Sequence, residues 1–576
     1  MSIKAEKKAN SSEVFSAFEK DSIRRKAMAA DGSIPNWYIT QGLTMFERKY
    51  AYKQETVREA FVRVAKTLAK HYTPDPARAE REFFGLLWSG DLAGSSPVVS
   101  NTGTGRGHSV SCSGGVIGDS VPEFYDSYKR IALLSQKGYG TSDYLGHIRP
   151  RGSIISTGGL ADGPVPVFDT TRDTSKKINQ GDNRRGQHAS YFEVAAPDFK
   201  EIYDYAFKNQ SEVNLGWNFR DADIARLEAK DPEMISRWND ILYMRSRYGK
   251  GYIFKPDLAN QLAPFAIKAS GMPIWASNLC TEIMLPASTD YTYTCVLSSL
   301  NLMNFFNFGP DTIFWAHIFL DCVVSETLDQ TRDDPNFASI YRFTEEFRAL
   351  GLGTLGYHSL LQSKGIAFES LEARYLNKEI YQTIEREQMR ANLHLGKVLG
   401  PCKWGRERGL RNATNSAIAP NVSSSILCGG WSQGIEPLAA NTYNQPTAAG
   451  EMTRMNPFLI KRLKEKGLYN QELMLEINME HQGSIQFLDK HLDQSDLILY
   501  RTAFEMDQMA LVRQAEDRQP HIDQGQSLNL FFGTDEKKIA KVTKYALRSK
   551  RIKSLYYQRS MRQTRSSTGE CVACEG

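Results

Sequence analysis

Two groups of residues in this chain have the types and spacing for chemistry. The first is the run "NLCTEIMLPA" (Asn278–Ala287), where an amide, a thiol and a carboxylate alternate at Asn278, Cys280 and Glu282. If the run is extended, the two-residue period of a strand puts all three side chains on one face. A thiol offers hydrogen-atom transfer, a carboxylate offers proton transfer, and an amide can hold a hydroxyl beside them. A buried structural cysteine with polar neighbours would leave the same letters. The second group is "CVAC" (Cys571, Cys574) near the C-terminus. A Cys-x-x-Cys pair is either half of a zinc site or a dithiol–disulfide couple. No second such pair and no paired histidine accompanies it, so no metal site is expected. Thiol exchange needs only thiolate access and contact. Fourteen residues lead from Tyr557 to Cys571. Extended they span about 45–50 Å, and as a coil they reach roughly 20 Å. The pair can therefore visit a buried site on this chain or on a neighbour.

The elements that must position these groups follow from periodicity and caps. A helix is expected near Glu13–Met28. Val57, Phe61, Val64, Ala65 and Leu68 recur at helical spacing within 54–71. Ser120 can cap a helix that runs through Ser135 and is stopped by Gly138. Ser370 starts a long helical pattern ending near Gly400, and Thr534 or Asp535 can cap one through Arg548. Strand-prone pieces stand at Pro97–Ser100, Ser109–Cys112, Val213–Phe219 and Ser554–Gln558, between loops rich in Gly, Ser and Thr at Gly94–Cys112, 138–190 and Asn415–Pro437. Strand-like and helical segments alternate without a break in composition, which favours one large α/β domain behind a helical N-terminal part. The expected division is a helical region over 1–84, a catalytic domain over 85–558 and a flexible tail over 559–576.

Composition excludes several classes. At 41% apolar, 24% charged and 11% aromatic the chain is an ordinary globular protein, not a disordered one. A net charge of +5 requires no nucleic-acid partner. The N-terminus has no apolar core of a signal peptide, and no run approaches the length of a membrane span, so a cytoplasmic protein is expected. Eight cysteines in 576 residues are too few for a secreted disulfide scaffold.

The two reactive groups, taken with three further segments in order, resemble the catalytic (large, alpha) subunit of ribonucleotide reductases. Asn-x-Cys-x-Glu before "LPA" looks like that family's finger loop. Cys112 in "CSGGVIGDS", Cys295 in "CVLSSLNL", the adjacent Tyr556 and Tyr557 in "LYYQRS" and the terminal cysteine pair complete the set. The resemblance runs from about Gly85 to the C-terminus. It implies a ten-stranded α/β barrel of two parallel five-stranded halves with a central finger loop, and an oxidoreductase of the ribonucleoside-diphosphate reductase type. It also implies roles. Cys280 is the transient thiyl radical that takes the ribose 3′-hydrogen. Glu282 is the base on the 3′-hydroxyl, and Asn278 holds the reacting groups. Cys112 and Cys295 supply two electrons and close a disulfide that Cys571 and Cys574 reopen, with thioredoxin or glutaredoxin reducing the tail. Ser96, Ser111 and the run Asn421, Val422, Ser423, Ser424 and Ser425 match substrate positions, the last as a phosphate loop ahead of "GIEP" (Gly434–Pro437). An allosteric nucleoside triphosphate falls on Asp119, Ser120 and Arg149, and Gln180 and Arg184 in "NQGDNRRGQ" match the loop joining effector to substrate. A second family arginine falls on Ser156 here, so the triphosphate contacts differ.

The tyrosine pair implies a radical delivered by a separate, metal-containing, ferritin-like small subunit, with no cofactor held permanently by this chain. Adenosylcobalamin is the alternative source, and an inactive nucleotide-binding regulatory homologue is the alternative of another class. A homodimer is expected. The first 35 residues lack the basic–Asp–Gly turn that opens the family's ATP-binding regulatory cone, so that cone is expected to be missing. The short chain with divergent loops suggests an early-branching, streamlined or viral member, in the last case acting in the host cytoplasm.

Overall fold

The computed structural model describes residues 20–560 apart from 157, 179, 181–185, 448–449 and 534, and leaves the side chains of 444–447 and 450–453 undescribed. Its strands are β1 (Leu92–Gly94), β2 (Cys112–Val116), β3 (Gly140–Tyr144), β4 (His188–Glu193), β5 (Asn214–Asn218), β6 (Tyr252–Phe254), β7 (Tyr293–Asn301), β8 (Leu350–Leu355), β9 (Thr442–Thr447), β10 (Gly450–Met455), β11 (Leu530–Phe532), β12 (Ser554–Leu555) and β13 (Gln558–Ser560). β9 and β10 form a separate hairpin.

β2 to β6 lie side by side and parallel. Helices connect them, as parallel neighbours require. β7 runs antiparallel to β2 and parallel to β8. Beyond β8 the ring continues through two segments that are extended but not regular strands. Leu350 and Leu352 donate to the carbonyls of Thr414 and Asn415, Ile418 donates to the Gly525 carbonyl, and Ser527 donates to the Ile418 carbonyl. Tyr556 donates to Leu528 and Leu530 to Tyr557, and β12 closes on β6 in antiparallel register. Segments 414–418 and 524–530 thus complete a ten-stranded barrel whose two parallel halves meet head to tail at both seams. Closure leaves the ring no unpaired edge.

The interior is filled by a loop over 272–292. Leu279, Cys280, Ile283, Met284 and Leu285 on that loop pack with Cys112, Tyr191, Tyr252, Cys295, Tyr556 and Tyr557 from the wall. Outside, the helix Thr312–Thr331 is buried on nearly all sides by the helices Val57–Ala69, Pro76–Ser89 and Leu371–Leu399. Among the described residues no helix is long and apolar enough to cross a membrane.

Most caps stand where the residues ask for them. Ser120, Ser370 and Asp535 each accept a backbone N–H at the start of Val121–Gln136, Leu371–Leu399 and Glu536–Arg548, and Gly138 takes a positive φ of 95° after the first of these. One segment differs. Pro97–Ser100 is strand-prone by composition but lies in the helix Ser96–Asn101, where Pro97 suits the first turn because its lost N–H has no intrahelical partner there.

Candidate active site

Asn278, Cys280 and Glu282 do not share a strand face. The loop turns at its tip, with the Thr281 N–H donating to the Asn278 carbonyl at 3.2 Å. Thr281 itself has φ 67°, a left-handed conformation that a β-branched residue seldom adopts. Such strain, on the order of 1–3 kcal/mol, persists only where surrounding contacts over-determine it. Here three successive carbonyls are gripped: Cys280 by Ser527 Oγ at 2.6 Å, Thr281 by Ser554 Oγ at 2.8 Å and Glu282 by the Gly525 N–H at 2.8 Å. Gln524 Oε1 accepts the Met284 N–H at 2.9 Å. Asn278 is fixed from both ends, its Oδ1 accepting the Ile283 N–H at 3.1 Å and its carbonyl the Tyr191 hydroxyl at 2.7 Å. A Cβ on Gly525 would collide with the Met284 side chain and stand 3.1 Å from the Glu282 carbonyl, so a glycine is needed for this approach.

Glu282 is buried beside the thiols. Burial pushes its carboxyl up to about 8, the Cys112 thiol adds to the rise, and the Asn278 amide and Ser527 hydroxyl pull it back. Ser527 Oγ also lies 3.1 Å from Glu282 Oε2, and its single proton serves either that oxygen or the Cys280 carbonyl. A carboxyl that titrates near neutrality can act as acid or base.

Cys112 and Cys295, 183 residues apart in sequence, are direct partners across β2 and β7. Opposed residues of antiparallel strands have Cα atoms about 4.5–5.5 Å apart, inside the roughly 7 Å that a disulfide allows. Both stand as buried thiols. Burial pushes the Cys295 thiol well up, followed by its hydrogen bond to Cys112 and the proximity of Glu282 and Cys280. Four reactive groups therefore share one electrostatic neighbourhood.

Tyr556 Oη donates to Cys280 Sγ at 3.6 Å. The rings of Tyr556 and Tyr557 lie 4.1 Å apart between centroids, although neighbours on a strand would face opposite ways. Both sit between β12 and β13, in the segment whose backbone pairs with 528–530. Tyr252 on β6 joins them. Its ring is 4.9 Å from Tyr556, and its hydroxyl donates to Tyr557 Oη at 3.1 Å.

Family models match nearly all of this frame. The model described as "Ribonucleotide reductase, barrel domain" covers residues 110–225, 219–408 and 403–558, and "Ribonucleotide reductase, all-alpha domain" covers 38–107. The chain belongs to the ribonucleotide reductase large-subunit family. It is 32% identical over 549 residues to a "Putative ribonucleoside-diphosphate reductase large subunit" of Frog virus 3, across 88% of this chain and 95% of the relative. It is 27% identical to the "Ribonucleoside-diphosphate reductase large chain" of Schizosaccharomyces pombe, across 83% of this chain and 68% of that one. Among solved structures the "Actinobacillus ureae class Id ribonucleotide reductase alpha subunit" superposes with a TM-score of 0.84 at 32% identity, covering 92% of this chain and 99% of its own.

In this ribonucleotide reductase chain the residues matched to substrate lie around the far end of β7. Cys295, Leu297 and Ser299 share one side of the strand, so Ser299 stands about 13 Å beyond Cys295. Ser299 Oγ donates to Asn421 Oδ1 at 2.9 Å, and Asn421 Nδ2 donates to the Thr354 carbonyl at 2.9 Å. The short helix Val422–Leu427 follows, with Ser423, Ser424 and Ser425 buried. On the other flank Ser298 Oγ accepts the Ser95 N–H at 3.4 Å, and Ser96 shares a hydrogen bond with Tyr50 at 2.8 Å. Ser111, also buried, directly precedes Cys112.

The effector-matched residues lie at the opposite ends of β2 and β3. Arg149 Nε donates to Asp119 Oδ2 at 2.6 Å, and Ser120 Oγ donates to Glu123 Oε2 at 2.7 Å. Gln180 Nε2 reaches Asn101 Oδ1 and the Arg106 carbonyl, both at 3.3 Å, and Asn101 ends the helix that begins at Ser96. Arg184, Cys571 and Cys574 lie outside the described residues. Residues that sequence reasoning missed are Ser527, Gln524 and Ser554, which hold the finger tip, and Tyr252. The available signal was weak: polar letters alternating with apolar ones in "QGQSLNL" (Gln524–Leu530), where a buried strand would be uniformly apolar.

Proposed function

We propose that this chain is the catalytic subunit of a ribonucleoside-diphosphate reductase working through a thiyl radical on Cys280. The observation that carries the reading is the contact from Tyr556 to Cys280, at 3.6 Å, beside a register-matched pair of thiols. A one-electron oxidant on a separate ferritin-like small subunit takes an electron and a proton from Tyr557. Tyr557 takes them back from Tyr556, and Tyr556 takes the hydrogen of Cys280. The Cys280 radical then abstracts the ribose 3′-hydrogen, and Glu282 accepts the 3′-hydroxyl proton. Cys112 and Cys295 give up two protons and two electrons and close a disulfide, the 2′-hydroxyl leaves as water, and Cys280 returns the 3′-hydrogen while Glu282 returns the 3′-hydroxyl proton. Asn278 keeps Glu282 and the substrate hydroxyls in register.

Ser96, Ser111 and Asn421–Ser425 hold the nucleotide and its phosphates. A nucleoside triphosphate at Asp119, Ser120 and Arg149 selects the base through Gln180 and Arg184. Cys571 and Cys574 reopen the disulfide and are themselves reduced by a thioredoxin or glutaredoxin, and the working unit is a homodimer. A small-subunit radical source is supported by the "large subunit" names of the relatives and by the likeness to a class Id alpha subunit. The test is Cys280→Ser, assayed with nucleoside diphosphate, dithiol and a ferritin-like partner. It should bind nucleotide and form no deoxynucleotide, and measurable turnover would remove Cys280 from the role.

A further inference from the structure

Tyr557 has charged surroundings that the radical path does not itself use. The Arg559 guanidinium stands over its ring, 4.6 Å from the centroid. Asn529 Oδ1 accepts the Tyr557 backbone N–H at 3.0 Å, and the Asn529 N–H donates to Glu436 Oε1 at 3.0 Å. Glu436 belongs to the "GIEP" segment, 121 positions before Tyr557 in sequence, and Asn529 ties its carboxylate to the tyrosine. Among the described residues the charge acting on Glu436 is that of Arg559, and its other polar neighbour is the neutral Asn529.

A cation held against a phenol face opposes removal of an electron from the ring, and a nearby carboxylate offsets that field. Taking the radical path above as given, we propose that Glu436 and Arg559 form a charge pair that sets how readily Tyr557 is oxidised. Ionised Glu436 cancels the opposition of Arg559, and protonated Glu436 restores it. In the step concerned, the radical of the small subunit gains one electron and one proton, and Tyr557 is left as a neutral tyrosyl radical. The pair acts while the electron runs ahead of the proton. Arg559 lies against the face of the ring and Glu436 reaches it only through Asn529, and neither exchanges an electron or a proton in the step, so both are tuning groups. Burial raises the Glu436 carboxyl to about 7, against smaller opposing effects of Asn529 and Arg559, so its charge changes across the neutral range.

The first measurement needs no partner. With 3-nitrotyrosine at position 557 of the whole chain, the phenol is titrated by its absorbance. Glu436→Gln keeps the acceptor for Asn529 and removes the charge, so the phenol midpoint should fall by about one pH unit. Arg559→Gln should raise it by about as much. The second measurement is turnover with the small subunit at pH 8. Glu436→Gln should lose about tenfold, the equivalent of one pH unit, and the double variant with Arg559→Gln should recover most of it, which a merely structural defect would not do. Midpoints that do not move, or a double variant no better than the single one, overturn the charge pair. If the midpoints move but the natural chain makes no product with any ferritin-like partner, the radical path on which the pair rests is what fails.

Discussion

Glu282→Gln separates the buried carboxyl from its shape. In the folded chain the carboxyl titrates near 8, against 4.5 for the ordinary group, chiefly because burial disfavours its charge. A folded value above the unfolded one means that the stabilising contribution is complete below about pH 4.5. It shrinks as pH rises and is gone above about 8, a span of about 5 kcal/mol at most. Gln has no proton to lose. The variant should therefore gain on the natural chain by about 4 kcal/mol between pH 5 and 8.5, read as the change in the gap between their urea midpoints. The same value governs the chemistry. About one chain in ten carries ionised Glu282 at pH 7 and about three in four at pH 8.5, so single-turnover product formation should rise about eightfold over that range. Glu282→Gln should form none. The decisive spectroscopic check is the infrared difference between the natural chain and the variant at pH 6, where a carboxylic-acid stretch from Glu282 should remain after the band of Glu436, common to both, has cancelled. A gap in stability that does not change with pH, or a carboxylate already ionised at pH 6, would refute the reasoning.

Other outcomes test the remaining parts. Tyr556→Phe keeps the ring but removes the hydroxyl that meets Cys280; it should abolish partner-driven turnover and leave nucleotide binding by calorimetry unchanged. Retained turnover, or activity from adenosylcobalamin without a partner, would reverse the choice of radical source. Cys571→Ser with Cys574→Ser should give about one round of product from prereduced chain and then stop with a protein dithiol as reductant; steady turnover would make the tail dispensable. Ser527→Ala removes the hydroxyl that serves both Cys280 and Glu282. It should move the Glu282 midpoint further up and cost about 1–3 kcal/mol in urea unfolding, and an unchanged midpoint would show that Ser527 does not hold the carboxyl.

The reactive letters were legible before the geometry that unites them. Asn278, Cys280 and Glu282 stood out by alternation, yet alternation describes a strand and the residues meet at a turn. Only the contacts of Thr281 with a distant segment make that turn tolerable, and such contacts leave no mark at 278–282. Cys112 and Cys295 were marked only by the family likeness of their segments, and nothing in their spacing paired them; they meet because two halves of the barrel join at a seam. Caps were read at the right residues because they depend on four or five neighbours in sequence. Segments 414–418 and 524–530 were harder, since they are buried among polar partners and lack the apolar run of an interior strand. Pro97–Ser100 was read as strand-prone, but its proline favours a first helical turn as readily as an extended piece.

The grip on the finger tip has a consequence for biosynthesis. The residues that hold Cys280, Thr281 and Glu282 come 243 to 273 positions later in the chain, and the tyrosine that touches the thiol 276 later. At the about 5–20 residues per second of a working ribosome, the thiol waits roughly 15–55 s for its last neighbours. A nascent or prematurely ended chain carries Cys280 but neither its turn nor its conduit. On the radical path proposed above, incomplete products lack both the turn and the tyrosine that would make Cys280 a radical site.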